Sequence, residues 1–537
     1  MRIFDTADLT ETSMKSMTAN EIACIYNGLD VAVTADIYTT LIAQLASEPE
    51  NVKQTYAGSL AKLAPIMEMS MRGTLIDEYA RQHSIRDLEN TKRDLDRKFQ
   101  RIMTEVFDCN VNWNSPMQLK NLFYGIMGCK EIKKRNTKGQ YVPSVDKEAL
   151  AAFEQYLYAR PLAKMVGILR DLHKQIAFLK TEIDPDQRMR CNYNIAGTNT
   201  GRLNSTMSDF GTGTNLQNVN RALRYPFVAD EGMYLLNIDL EQADGRNVGA
   251  VCHELFYDAS REQIAKALRL KEWAGPIGAE FASTYLDACE AGDLHTTVCN
   301  MVWPEGLNGT PWPEAEDAWK KFCDGIIAHG QDSFRQLSKK GGHGTNYFGT
   351  PRTMAKHLHI KAKIIEGFQQ RYFGQFPCIS AWHGATIDQV EETGIVTSLF
   401  GRRRHFWGRA KDASTHRKAI AYCGQSPTGE QIDRGLLQIW REFPQVQLLN
   451  QVHDSILLQV PFSEVEELAP RILKVMEVTR TLKGGRQFTV PLDAAGGWNW
   501  GYQDPEKVTN YHGLTKWRGK EERAAPSVRK RSLKDYL

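Results

Sequence analysis

The sequence predicts an α+β fold in which an antiparallel sheet carrying two aspartates is set among helices, and three stretches lead to that reading. Leu448 to Val460 consists of two apolar runs flanking His453-Asp454-Ser455, the pattern of a β-hairpin with a carboxylate at its tip. Tyr234 to Asp239 is a short apolar strand that ends on Asp239 and passes into helix-compatible spacing up to Ala250. Between them, Arg335, Lys339, His343 and Tyr347 fall at i, i+4, i+8 and i+12, near one side of a helix. An aspartate in a tight turn has a plain explanation, because its side chain bonds its own backbone. Two strands that each deliver one aspartate suggest more. Such a pair could hold two hard divalent cations, since Mg²⁺ prefers a few carboxylates plus substrate phosphate oxygens, and the cationic helix face could grip a triphosphate. The chemistry suggested is two-metal phosphoryl transfer.

The order of these stretches resembles motifs A, B and C of family A DNA polymerases, the bacterial polymerase I type and especially its phage members, over roughly residues 55–503. The resemblance implies a right-hand fold with an antiparallel-sheet palm, helical fingers and a helical thumb. It implies template-directed extension of a primer 3′-OH with dNTPs by two-metal-ion nucleotidyl transfer, with release of pyrophosphate. Asp239 and Asp454 would bind two Mg²⁺ ions, with Mn²⁺ able to substitute, and the Leu240 main-chain carbonyl would complete the second site. Arg335, Lys339, His343 and Tyr347, with Gln242, Asp244 and His295, would bind the nucleotide, and Lys339 would stabilise charge or donate a proton at pyrophosphate. Arg202, Asn204, Gln217, Asn218, Arg417, Gln425 and His453 would touch primer-template DNA. Two rivals are a single-subunit RNA polymerase, which shares the His-Asp-Ser turn, and a non-catalytic polymerase-like DNA-binding subunit. Asp244 and the T-G-R-L-N-S loop at Thr200–Ser205 argue against the first. The two carboxylates and the Arg335/Lys339 pair argue against the second.

Whole-chain composition agrees with this without demanding it. At 537 residues, 42% hydrophobic and 24% charged, the chain is long enough for two to four domains and a large core. Ten scattered cysteines without a C-x-x-C pair read as reduced thiols. A net charge of +3 does not announce nucleic acid, so a DNA partner must be argued from local clusters such as Arg402–Arg404. No uninterrupted apolar run approaches ~20 residues and the opening segment carries acids, so no membrane partner is expected, and a cytoplasmic location is, in the host cell if the chain is phage-encoded.

In chain order, residues 1–54 read as a short N-terminal helical segment in which Tyr26 to Asp30 resembles the last motif of a 3′–5′ exonuclease. No Asp-x-Glu strand or second acidic motif lies upstream, so no proofreading is expected here, and a separate exonuclease, processivity factor or other replisome protein is a candidate partner. Residues 55–190 read as a thumb, mostly helical, with a charged amphipathic run at Ile85–Gln100. Residues 191–255 form the first part of the palm, including the Gly197–Ser205 and Asn215–Asn218 loops. In this palm Asp244 stands where bacterial members have glutamate, and Arg246 is expected to brace it through an ion pair. Residues 256–424 are the fingers, longer between 252 and 334 than in relatives, with Asp293-Leu-His295 matching a fingers helix. His343 replaces the family's aromatic, and Gly341, Gly342 and Gly344 should make that helix pliant. Ala421 replaces an asparagine between Arg417 and Gln425. Residues 425–503 are the second part of the palm, and 504–537 a basic tail with eight Lys/Arg against three acids from Lys516 onward.

Overall fold

The computed structural model describes residues 15–315, 318–329, 332–503, 510 and 512–517. Helix α1 (Ala19–Ser47) starts at a capping box, Thr18 with Glu21, and buries none of its residues. By length and composition it could cross a membrane, which the sequence reading did not anticipate because Asp30 and Asp36 interrupt its apolar runs; buried core helices and signal sequences pass the same test, and this helix is not buried. Helix α2 (Glu50–Ala61) follows, and the amide of Asn51 donates to the Gly401 carbonyl at 2.8 Å. The long helix α3 (Glu78–Phe107) is N-capped by Asp77 and packs with α4 (Arg160–Leu179). These two enclose a separate apolar core of Phe99, Met103, Leu119, Phe123, Phe153 and Val166, whereas Ile66, Met69, Ile76, Ile85, Leu179 and Met189 of the expected thumb pack into the main core.

The sheet begins with β1 (Met233–Leu240), almost continuously buried, and the chain turns directly into α5 (Ala243–Phe256). Helices α6 (Leu294–Val302) and α7 (Phe334–Asn346) come next; Ser333 N-caps α7 by accepting the Gln336 N–H at 3.2 Å. Between them a small core of Cys299, Leu307, Cys323 and Phe334, flanked by Trp303 and Trp312, anchors the extra residues of the fingers. Strands β2 (Ile395–Thr397) and β3 (Arg403–His405) form a hairpin that leads to the 30-residue α8 (Ala413–Glu442). The main sheet is completed by β4 (Gln447–Val452), β5 (Ser455–Pro461), β6 (Leu492–Gly497) and β7 (Thr515–Lys516). Its order is β4-β5-β1-β6-β7, antiparallel throughout. Residues 512–517, assigned to the tail by sequence, therefore include an edge strand, with Leu514 buried beside it; the tail beyond Trp517 lies outside the described residues.

Helix α7 runs unbroken from Phe334 to Asn346 through all three glycines. Gly341 and Gly342 sit where Phe368, Leu358 and Val298 approach, and a Cβ at either position would meet only ordinary van der Waals contacts of 3.6–3.9 Å.

Candidate active site

Strand register brings the two aspartates together. Ser455 pairs with Asp239, so Asp454 lies one position beyond the end of β5, and the Leu240 N–H donates to the Asp454 carbonyl at 3.1 Å. His453 takes a left-handed conformation (φ 56°), which closes the two-residue turn between Val452 and Ser455 and leaves Asp454 at its tip. Burial first, and Asp454 second, push the Asp239 carboxyl up to about 7, against the opposing effects of Arg221 and Lys339. Two hard oxygen donors whose mutual repulsion is not neutralised by the protein's own cations fit a divalent cation such as Mg²⁺, which needs only one or two carboxylates when substrate phosphates complete its shell. Among the described residues no group of three or more His, Cys, Asp or Glu side chains could hold a metal alone. Asp493, missed by sequence, lies directly opposite Asp239 on β6 and reaches Lys516 at 3.4 Å. Only the β6 register reveals it.

The pair opens onto a cavity of about 190 Å³ bounded on the palm side by Asp239, Leu240, Gln242, Asp244 and Asp454. On the fingers side it is bounded by His295, Lys339 and His343. Lys339 has no carboxylate within ion-pair distance among the described residues, so its charge faces the cavity. The rings of His295 and His343 lie 5.8 Å apart. Burial, then His343, Lys339 and Arg335, push His295 down to about 3, so it is neutral at physiological pH. Arg335 departs from expectation. It is on the same helix face as Lys339 but does not line the cavity, because its Nε and Nη2 donate to the two Asp293 oxygens at 2.7 and 2.9 Å. Asp293 also accepts the His295 N–H at 3.2 Å and the Thr296 hydroxyl at 2.8 Å, so it ties the start of α6 to α7.

Asp244 is a hub. Its Oδ1 accepts from Arg202 Nη2 at 2.8 Å and Thr428 Oγ1 at 2.7 Å, and its Oδ2 accepts from the Tyr347 hydroxyl at 2.9 Å. The Nε of Arg202 donates to the Gln425 carbonyl at 3.2 Å. Five residues from four parts of the sequence are thus brought together; Thr428 was missed, although it sits three positions after Gln425 on α8. Gln217 is placed differently from the expected DNA contact. It is 8% exposed, and its amide donates to the Leu203 carbonyl (3.2 Å), the Gln451 carbonyl (3.1 Å) and Gln451 Oε1 (3.0 Å). Gln451 in turn donates to the His453 carbonyl at 2.7 Å, so Gln217 supports the hairpin that presents Asp454. Arg246 makes no ion pair among the described residues; it is buried with its Nε unpartnered, which corrects the expected brace. Asn204 lies against Gly197 with its Oδ1 unpartnered, whereas Asn218, Arg417 and His453 are exposed.

An antiparallel sheet that offers two aspartates to a cavity capped by a cationic helix defines a right-hand polymerase fold. The comparisons assign it more narrowly. The profile described as DNA polymerase family A matches residues 85–255 and 319–502, and the chain belongs to that family. The unmatched residues 256–318 include Asp293 and His295. The thermostable DNA polymerase I of Thermus filiformis is 26% identical over 414 residues, covering 73% of this chain and 42% of the relative. DNA polymerase I of Pseudomonas aeruginosa is 25% identical over 526 residues, 92% of this chain and 49% of the relative. The chain spans less than half the length of either. A solved structure of the polymerase domain of Pol1 from M. smegmatis, in complex with DNA primer-template and dNTP, matches with a TM-score of 0.61 at 19% identity. It covers 82% of this chain and 70% of that one.

Proposed function

We propose that the protein is a template-directed DNA polymerase that adds dNTPs to a primer 3′-OH and releases pyrophosphate. The observation that carries this reading is the pairing of Asp239 and Asp454 at the mouth of a cavity whose opposite wall presents Lys339 and His343. Asp239, Asp454 and the Leu240 carbonyl would hold Mg²⁺ or Mn²⁺. Bound there, two such ions would activate the primer hydroxyl and neutralise the triphosphate and its leaving pyrophosphate. Lys339 donates charge and hydrogen bonds to the outer phosphates, and neutral His343 offers a flat face to the incoming base. Asp244, held by Arg202, Tyr347 and Thr428, closes the sugar side of the cavity and disfavours a ribose 2′-OH. Arg202 and Gln425 on the same network face the primer end, where minor-groove acceptors are nearly alike for every base pair, which permits checking of pairing without sequence preference.

The family relatives are DNA polymerases I, and the similar solved structure holds primer-template and dNTP, which supports DNA and dNTPs as partners here. The reading further includes no proofreading activity in this chain, action in the cytoplasm, and the possibility of a separate exonuclease, processivity factor or other replisome protein as partner. A phage origin remains part of the proposal; the matched relatives named above are bacterial. The test supplies dNTPs, rNTPs or no nucleotide to a labelled primer on a defined template. Growth with dNTPs, little with rNTPs and no shortening without nucleotide is the expected result. Efficient rNTP incorporation would favour the RNA-polymerase reading that the His-Asp-Ser turn leaves open, and primer shortening would contradict the absence of an exonuclease.

A further inference from the structure

Away from the cavity, the β2–β3 hairpin and the loop that follows it carry a feature that nucleotide addition does not use. Trp407 is 90% exposed, far more than any other tryptophan in the described residues requires. It is not simply stranded on the surface. Its indole lies 5.4 Å from the His405 ring with only 12° between the planes, an offset parallel pairing that leaves most of the indole open. The base of the hairpin is tied to helix α8. The Arg404 guanidinium sits 4.5 Å from the Phe406 ring and 5.8 Å from that of Tyr422, and the Tyr422 hydroxyl donates to the Arg402 carbonyl at 2.8 Å. Along this stretch of chain the charges are one-sided. Arg409, Lys411 and Lys418 are exposed, with Asp412 the only acid between Arg402 and Lys418. Arg403 is already paired with Glu48 at 2.8 Å, and His416 with Glu391 at 3.0 Å, so neither is counted.

We propose that Trp407, backed by His405, is a stacking platform for an unpaired nucleobase of single-stranded DNA, with Arg409, Lys411 and Lys418 holding the flanking phosphates. A paired base has both faces covered by its neighbours, whereas an unpaired one offers a π-face to any aromatic ring, and a basic groove with interleaved aromatics is how such strands are held without sequence preference. Helix α8 leads from this loop to Gln425 beside Tyr347. At ~1.5 Å per residue, the twelve steps from Ala413 to Gln425 span about 18 Å, so a strand leaving the cavity along α8 would need several nucleotides to reach the platform. Its source is either the template ahead of the primer or a strand displaced from downstream DNA.

The inference takes its ligand from the polymerase reading, but it is tested by binding alone, so either can fail without the other. Full-length protein and its Trp407→Ala and Trp407→Phe variants are titrated with a blunt duplex, a duplex with a ten-nucleotide 5′ template overhang, and a nicked duplex with a displaced flap. Trp407→Ala should weaken binding of the overhang or the flap substrate by about tenfold, the affected one naming the source, and leave the blunt duplex unchanged. Trp407→Phe should recover most of the loss. Replacing Arg409 and Lys411 with glutamine should lower the slope of log affinity against log salt by roughly 0.7 for each cation removed. Trp407→Ala binding each of the three DNAs as tightly as the unaltered protein, an equal loss on all three, or a Trp407→Phe variant no better than alanine would overturn the platform.

Discussion

Asp244 concentrates the residue-level chemistry, because three donors converge on one carboxylate. Asp244→Ala removes the acceptor and leaves Arg202, Tyr347 and Thr428 without it. The expected outcome in steady-state kinetics is a kcat/KM for dNTPs lowered ten- to a hundredfold, with discrimination against rNTPs weakened by ~1–3 kcal/mol. His295 gives a pH prediction. Its folded-state pKa of about 3 lies below the ~6.5 of an unfolded histidine, so the unfolded chain binds the extra proton between those values. Stability contributed by the neutral ring is full above pH 6.5 and lost as pH falls towards 3, at up to ~1.4 kcal/mol per pH unit for this one group. His295→Gln should therefore flatten the decline of denaturant-derived stability between pH 6.5 and 5, and an unchanged slope would show that other groups control it. Asp239, Asp454 and Lys339 were singled out by their place in three ordered motifs, and they line one cavity; Tyr347, on the same helical spacing as Lys339, does not line it and bonds Asp244 instead. The placement of Gln217 was not readable in sequence, because its partner Gln451 is 234 positions away and no local pattern records the bond. Arg335 was half readable. Helical spacing gave its face, but not that Asp293, 42 positions earlier, occupies its guanidinium.

At the scale of elements, β1 and the β4–β5 hairpin follow from their apolar runs and α5 from helix-compatible spacing, whereas α7 follows from the spacing of Arg335, Lys339, His343 and Tyr347. Helix propensity counts glycines without their packing, and in α7 Gly341 and Gly342 face Phe368 and Val298. Gly341→Ala should fit with little rearrangement, and its effect on stability measures that balance: a gain of ~0.5–1 kcal/mol in denaturant unfolding is expected from reduced unfolded-chain freedom. A loss of stability would show the approach of Phe368 to be tighter than its 3.7 Å spacing implies. The joint between α2 and α8 rests on Lys62 and Asp433, a buried ion pair. Burial pushes the Asp433 carboxyl up and Lys62 opposes it. Lys62→Met strands a buried acid and should cost ~3–5 kcal/mol, whereas pairing it with Asp433→Leu should restore most of that. If the double variant is as unstable as the single one, packing rather than charge holds the joint.

For the molecule as a whole, the thumb's separate core, the five-stranded sheet and the helical fingers are arranged so that one cavity sees carboxylates from the sheet and a cation from α7. The order of the three motifs made that architecture legible. The position of residues 512–517 on the sheet edge was not, because two-residue strands leave no periodic trace. The exposed platform at Trp407 likewise emerges only when the neighbouring His405 is seen beneath it. The central claim is that Asp239 and Asp454 together hold the metal ions at which DNA synthesis occurs. It is tested most directly by Mg²⁺-dependent extension of a labelled primer with dNTPs, comparing the unaltered protein with Asp454→Asn at equal DNA occupancy. Extension by the unaltered protein, reduced at least ~10³-fold by the substitution while primer-template binding persists, is the predicted result. Undiminished extension by Asp454→Asn, or none by unaltered protein bound to primer-template with Mg²⁺ and dNTPs present, would contradict it.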